Sequence, residues 1–274
     1  MGTENRLGVL NASPETERRK REEADFHDML RSASLRDDPA EYARLTSNKK
    51  YYAAAQASME YYKNWLRQRC AGKRVLDYGC GDGEYSAFLA ANGAMVTGVD
   101  ISDVSVKNAR ARASAEGLDT RVSFRVMDCE RLEFPNDSFD IVCEAGVLHH
   151  LDFRLAIGEI ARVVKPEGAA ICYEALGHNP VIQAYRDRTP HLRTAYEAKH
   201  IIRAEELRIA EEYFGKVQSK FFHLCSLLAM PLRNTPAFPA ALKVLEKCDD
   251  VLLSMPGIKW QAWMVISVME ASRR

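Results

Sequence analysis

The sequence predicts an α/β fold, a mostly parallel sheet with helices on both faces, preceded by a helical extension and carrying helical insertions. Two observations predict it. From residue 73 onward, short apolar runs alternate with helical stretches, the pattern of parallel strands joined by crossover helices. A glycine-rich turn closes the first of those runs and opens the first of those helices. The length of 274 residues sets the scale, being long for one small domain and short for two large ones, so one α/β domain with insertions is expected.

Residues 1–70 form the expected N-terminal helical extension. Pro14-Glu15 opens one helical run that ends near Leu30, and a second extends from Tyr51 to Arg69. The charges of residues 15–28 read as a solvated helix face. The second run is aromatic, with Tyr51, Tyr52, Tyr61, Tyr62 and Trp65, and most of these rings read as packing on the sheet. One of the Tyr51/Tyr52 pair, Tyr52 in the first place, is the candidate for a lid over a ligand.

Residues 71–274 form the main domain. Its strands are read at Arg74-Val75-Leu76-Asp77, at 95–100, at 122–126, at 139–143 and at 169–173, with helices at 84–91, 104–116 and 154–164. Two later strands are read at 216–222 and 262–269. Insertions are expected at about 177–213, rich in Arg and His, and at about 223–260, rich in Leu. Insertions in α/β domains gather at the ligand-binding edge or at subunit contacts. The second one reads equally as a helical pair packed on its own sheet and as a lid or a homo-oligomer contact.

Composition narrows the partners. With 47% hydrophobic and 28% charged residues the chain is globular rather than disordered. Lys plus Arg and Asp plus Glu number 38 each, which gives no general attraction for nucleic acid or anionic lipid, although Arg18-Arg19-Lys20-Arg21 is a local basic patch. A small-molecule partner is favoured. Seven scattered cysteines without a C-x-x-C pair read as reduced thiols, and the seven histidines show no metal-ligand spacing, so no metal is expected. Neither a signal-peptide pattern nor a run of about 18 apolar residues is present, so no membrane insertion and a cytoplasmic location are expected.

The chemistry centres on the turn Asp77-Tyr78-Gly79-Cys80-Gly81-Asp82-Gly83. Its glycines permit a tight turn and close approach of backbone to a ligand. Asp100 ends the next strand, where a carboxylate can accept the hydroxyls of a ribose, so a nucleoside is the expected ligand. A dinucleotide would need a third glycine where Glu84 stands, and its pyrophosphate would meet Asp77 and Asp82. S-adenosylmethionine has no phosphate, and its ammonium and sulfonium cations are favoured by those same acids. A nicotinamide oxidoreductase is therefore the weaker reading, and the absence of G-x-x-x-x-G-K-[ST] disfavours a nucleoside triphosphatase.

Residues 73–176 resemble the Rossmann-like S-adenosylmethionine-dependent methyltransferases of type 11. The resemblance rests on V-L-D-Y-G-C-G-D-G (75–83), V-T-G-V-D-I-S (96–102), M-D-C-E (127–130), F-P-N-D-S-F-D-I-V (134–142), E-A-G-V-L-H-H-L (144–151) and R-V-V-K-P-E-G (162–168). It implies a seven-stranded sheet whose last strand is antiparallel. It further implies that Asp77 and Gly79, with Tyr78, Cys80 and Gly81 in the same turn, hold the amino-acid portion of the cofactor. Asp100 would hold the ribose, Ile101 would pack on adenine, Asp128 and Cys129 with Glu130 would lie at the adenine edge, and Glu144 would stand near the methionine part. The family's usual Gly-Gly is Glu167-Gly168 here, in a turn expected to lie far from the cofactor.

Positioning alone can supply much of the acceleration of a methyl transfer, roughly 7–11 kcal/mol. An O- or N-acceptor also gains from a base, and His149, His150, His178 and Glu174 are the candidates at or near strand exits. One of the His149-His150 pair is expected only to shape the pocket. Cys143-Glu144-Ala145-Gly146 lacks the Asn/Asp-Pro-Pro-aromatic arrangement of nucleobase amino-methyltransferases, and no double-glutamate loop of protein arginine methyltransferases is evident. A hydrophobic small-molecule acceptor remains. Residues 177–194 and 23–28 resemble bacterial secondary-metabolite methyltransferases, which implies an acceptor of that kind and, more narrowly, C-methylation of a prenyl or terpenoid double bond that triggers cyclisation. O- or N-methylation of an aromatic molecule is the alternative within the class, and a non-catalytic cofactor-binding or assembly protein is the alternative outside it.

Overall fold

The computed structural model describes residues 13–273. Helix α1 (Pro14–Arg31) starts under Ser13, whose hydroxyl accepts the Thr16 N–H, with Pro14 in the first turn where its missing N–H costs nothing. Short helices α2 (Ala33–Arg36) and α3 (Pro39–Leu45) and a 3-10 segment (Ser47–Ala54) lead to α4 (Gln56–Arg67). As its aromatic periodicity predicts, α4 buries Tyr62, Trp65 and Leu66.

The sheet then builds in alternation: β1 (Arg74–Tyr78), α5 (Glu84–Ala91), β2 (Met95–Asp100), α6 (Asp103–Ala115), β3 (Val122–Val126), β4 (Phe139–Ala145), α7 (Phe153–Val163) and β5 (Val164–Ala175). After it come α8 (Pro180–Arg188), α9 (Ala204–Tyr213), β6 (Phe214–Phe222), α10 (Phe238–Leu252) and β7 (Met264–Ser272). The strand order is β3-β2-β1-β4-β5-β7-β6. Strands β1 to β5 pair in parallel, while β7 runs antiparallel between β5 and β6.

Successive side chains of a strand face opposite layers, and both layers are apolar here. Leu76 and Val142 pack with Ile157 and Ile160 of α7 on one face. Val75, Ile141 and Cys143 pack with Tyr62 and Leu66 of α4 and Leu89 of α5 on the other. With both faces covered, ligands are left the edge where the parallel strands end. Glu167 and Gly168 lie in β5 where its pairing with β4 shifts register, so the expected turn is an irregular bulge.

The insertion at 177–213 contains α8 and α9, and the one at 223–260 contains a 3-10 segment (Ser226–Leu232) and α10. Phe238 and Leu242 of α10 pack on Ala229, Met230 and Ala54, so this insertion covers the 3-10 segment before α4, while its Leu224 and Leu253 join the core layer of the sheet. Val244 and Val251 on its outer side are exposed. The seven cysteines are all unpaired. Among the described residues no helix is long and apolar enough to cross a membrane.

Candidate active site

At the end of β1 the chain turns through Gly79, Gly81 and Gly83, all at positive φ (74°, 50° and 76°), backbone that residues with a Cβ rarely adopt. A Cβ on Gly79 would stand 2.3 Å from a methyl carbon of Val147, so this residue is also required by close approach of the segment after β4. The turn is tied to β2 by the Gly81 N–H, which donates to Asp100 Oδ2 at 2.9 Å, while Asp100 Oδ1 accepts the Ser102 N–H at 2.9 Å. Each oxygen keeps a lone pair for a further donor.

These segments wall a cavity lined by Gly79, Asp100, Ile101, Asp128, Cys129, Val147 and His150. Its remaining wall is α1, through Arg19, Lys20, Glu23, His27 and Arg31. Lys20 Nζ lies 2.6 Å from Asp128 and 3.0 Å from Glu130, and Arg19 lies 2.6 Å from Glu130. Asp28 accepts from Ser102 and from the Val104 N–H at the start of α6, and Arg31 pairs with Asp82 at 3.6 Å. Beneath this helix the cavity measures about 100 Å³, against roughly 300–1,000 Å³ for typical small-molecule sites. A nucleoside-sized ligand therefore needs the long side chains of this wall to turn aside.

The candidates of the glycine turn and the following loop divide by the direction of their side chains. Gly79, Asp100, Ile101, Asp128 and Cys129 line the cavity. Tyr78 is fully buried, and its hydroxyl donates to the Cys129 carbonyl at 2.6 Å, so it braces the loop after β3 from within the core. Cys80 is buried in the opposite layer. Asp77 lies under the turn, accepts the Ser86 hydroxyl at 2.6 Å and is pushed up to about 6 by burial. Glu130 accepts from Arg19 and from the Asp152 N–H, both at 2.6 Å, and so ties the loop to α1 and α7. Tyr52 lies outside this wall, its ring 5.5 Å edge-on to Trp263. The helix over the cavity is α1 instead, whose charges were read as a solvated face.

Three of the four acid–base candidates gather where β4 and β5 end. His149 Nδ1 shares a 2.6 Å hydrogen bond with Glu174 Oε2, and Glu174 Oε1 accepts the Leu148 N–H at 2.6 Å. Burial lowers His149 below the usual histidine value, which keeps its ring neutral and so able to accept a proton. Burial pushes Glu174 up to about 7. Glu144, wholly buried beside it, accepts the Val147 N–H and is pushed well up by burial and then by Glu174; it does not line the cavity under α1. His150 does line it, with Nδ1 2.9 Å from Glu23 Oε2. The fourth candidate, His178, is elsewhere: its Nε2 accepts the Ala204 N–H at 3.0 Å, which occupies its basic lone pair.

Sequence reasoning missed Arg19, Glu23, His27 and Arg31. A signal was present, since these four recur every fourth residue and so form one polar stripe along a helix. Glu197 was missed as well. Arg186 holds it at 3.1 Å and Arg193 at 3.4 Å, and it stands 3.9 Å from His149 Nε2.

A glycine turn at the end of the first strand and a carboxylate at the end of the second, in this strand order, define a Rossmann-like nucleoside-binding domain. Residues 76–172 match the family model described as a methyltransferase domain. The chain is 44% identical over 100 residues to 27-O-demethylrifamycin SV methyltransferase of Amycolatopsis mediterranei, covering 36% of this chain and 37% of that one. It is 32% identical over 192 residues to methyltransferase GfsG of Streptomyces halstedii, covering 68% of this chain and 64% of that one. It thus spans less than two thirds of the length of these curated relatives. Among solved structures, a geranyl diphosphate C-methyltransferase from Streptomyces coelicolor superposes with a TM-score of 0.57 at 16% identity, over 79% of each chain. Residues 76–172 are therefore a type 11 methyltransferase domain, whose cofactor is S-adenosylmethionine.

The residues present fit that cofactor. Asp100 and Ile101 line the cavity as ribose and adenine partners would, the glycine turn leaves no side chain in the way, and no phosphate-binding motif competes. Asp77, raised to about 6, is still mostly ionised at neutral pH, and a bound cation would favour that charged form.

Proposed function

We propose that the whole chain transfers the methyl group of S-adenosylmethionine to a hydrophobic small molecule, a bacterial secondary metabolite. One observation carries this reading: two histidine–carboxylate pairs, His149 with Glu174 and His150 with Glu23, stand side by side with their rings 4.3 Å apart, and His150 and Glu23 line the cofactor cavity. Such pairs suit an acceptor that gives up a proton as it is methylated. The names of the relatives, a rifamycin methyltransferase among them, support the substrate class.

The bound cofactor supplies a methyl group on a sulfonium, which leaves as a neutral thioether. The chain's own residues orient and deprotonate. Val147 packs against the glycine turn, Asp100 and Ile101 fix the nucleoside, and His149 or His150 takes the proton. Glu23, Glu174 and Glu197 balance the positive charge that then resides on a ring.

C-methylation of a prenyl double bond that triggers cyclisation is the narrower reading. Tyr52 and Trp263, their rings edge-on at 5.5 Å, offer aromatic faces to a carbocation, and the Tyr52 hydroxyl is kept protonated by burial and then by Glu197 and Glu174. O-methylation uses the same bases on a hydroxyl. Isotopically labelled S-adenosylmethionine, incubated with the protein and an extract of the producing cells, tests the proposal by mass spectrometry. The expected result is one labelled apolar product. Cofactor binding without any labelled product would favour the assembly-protein alternative.

A further inference from the structure

Glu23 is a buried carboxylate, 5% exposed, on the face of α1 that closes the cofactor cavity. Its two oxygens reach two different parts of the molecule. Oε2 lies 2.9 Å from His150 Nδ1 at the exit of β4, and Oε1 accepts the hydroxyl of Thr194 in the insertion after β5. His27, one turn further along α1, stands edge-on to the His150 ring at 4.9 Å and is held neutral by its burial. Arg19 reaches the backbone carbonyl of His150 at 3.4 Å and is committed to Glu130. No cation other than a protonated histidine is therefore within ion-pair distance of Glu23 among the described residues.

An ionised carboxylate only accepts hydrogen bonds, so the contact at 2.9 Å requires the His150 proton to sit on Nδ1. The Nε2 lone pair is then free. We propose that Glu23 is a positioning residue that α1 inserts to fix His150 as the proton acceptor, making the base complete only when the helix is seated over the cofactor. This inference rests on the reading of the histidine pair as the base. In the step concerned, an O–H or C–H bond of the acceptor breaks, its electron pair stays on the acceptor, and the proton forms an N–H bond at Nε2. The imidazolium so formed is balanced by Glu23. His149, by contrast, shares its Nδ1 hydrogen bond with Glu174 of the sheet rather than with a residue of α1.

The test reads the tautomer directly. Protein labelled with 15N-histidine is studied by long-range proton–nitrogen correlation with and without S-adenosylhomocysteine, the His150 signals being assigned by their absence from His150→Gln. In the wild-type protein bound to S-adenosylhomocysteine, His150 should carry its proton on Nδ1. In Glu23→Gln, whose amide can donate to the ring, the Nε2–H form should dominate, and kcat with the acceptor found by labelling should fall roughly 10- to 100-fold. Glu23→Asp should recover part of both. An Nε2–H form in the wild type overturns the proposal even if no variant folds, as does an unchanged tautomer in Glu23→Gln. A switched tautomer with an undiminished rate would sink the reading of His150 as the base while leaving Glu23's hold on the ring intact.

Discussion

His223 shows how a buried polar residue sets a pH response away from the cofactor. Its ring lies between Ser58, 2.7 Å from Nε2, and Ser226, 3.1 Å from Nδ1, and Ser58 also bonds the Tyr173 hydroxyl at 2.8 Å. Burial pushes His223 down to about 4. The unfolded chain then binds the extra proton between about pH 6.5 and 4, so this stability is whole above that window and lost as pH falls through it. His223→Asn suits the positive φ of 67° and cannot titrate. Urea unfolding of both proteins should show their difference shrinking by roughly 3 kcal/mol from neutral pH to about pH 4. A constant difference would contradict this. Glu174, raised to about 7, pushes stability the opposite way as pH rises, but it is common to both proteins and cancels. The sequence showed which residues stand at strand ends but not which way their side chains point. Tyr78 and Cys80 flank Gly79 in sequence, yet both face core layers because the turn rotates the chain at each step.

At the level of elements, the strands were legible because β1 and β4 are buried on both faces and carry short apolar runs, Val75-Leu76 and Ile141-Val142-Cys143. The role of α1 was not. A helix with a charged stripe looks the same whether it meets water or acids brought by a distant loop, and Arg19 and Glu130 are 111 residues apart in the chain. That pairing gives a second prediction. The Glu130 side chain is 1% exposed, so Arg19→Ala with Lys20→Ala would leave a buried carboxylate without its cations. Amide exchange across residues 14–31 should rise sharply while that of β1, β4 and β5 stays slow, and S-adenosylhomocysteine should dissociate roughly tenfold faster or more. Unchanged exchange in α1 would show that these ion pairs do not hold the helix down.

Taken whole, the molecule has no net charge, but its charges are sorted around one cavity. The loops of the sheet bring the acids Asp82, Asp100 and Asp128, and α1 brings the cations Lys20 and Arg31 that cover two of them. The class of cofactor was legible because the acids of the glycine turn argue against a diphosphate. The acceptor was not, because the segments proposed to surround it, the 3-10 segment before α4, α1 and the insertion after β5, meet only in the folded chain. The most direct measurement is calorimetric titration with S-adenosylhomocysteine and, separately, with NAD, on the wild-type protein and on Asp100→Ala. Saturable binding of S-adenosylhomocysteine with one site per chain, no binding of NAD, and a loss of more than roughly tenfold in affinity, about 1.4 kcal/mol, in the variant are expected. Binding of NAD in place of S-adenosylhomocysteine, or an affinity unaltered by Asp100→Ala, would contradict the account.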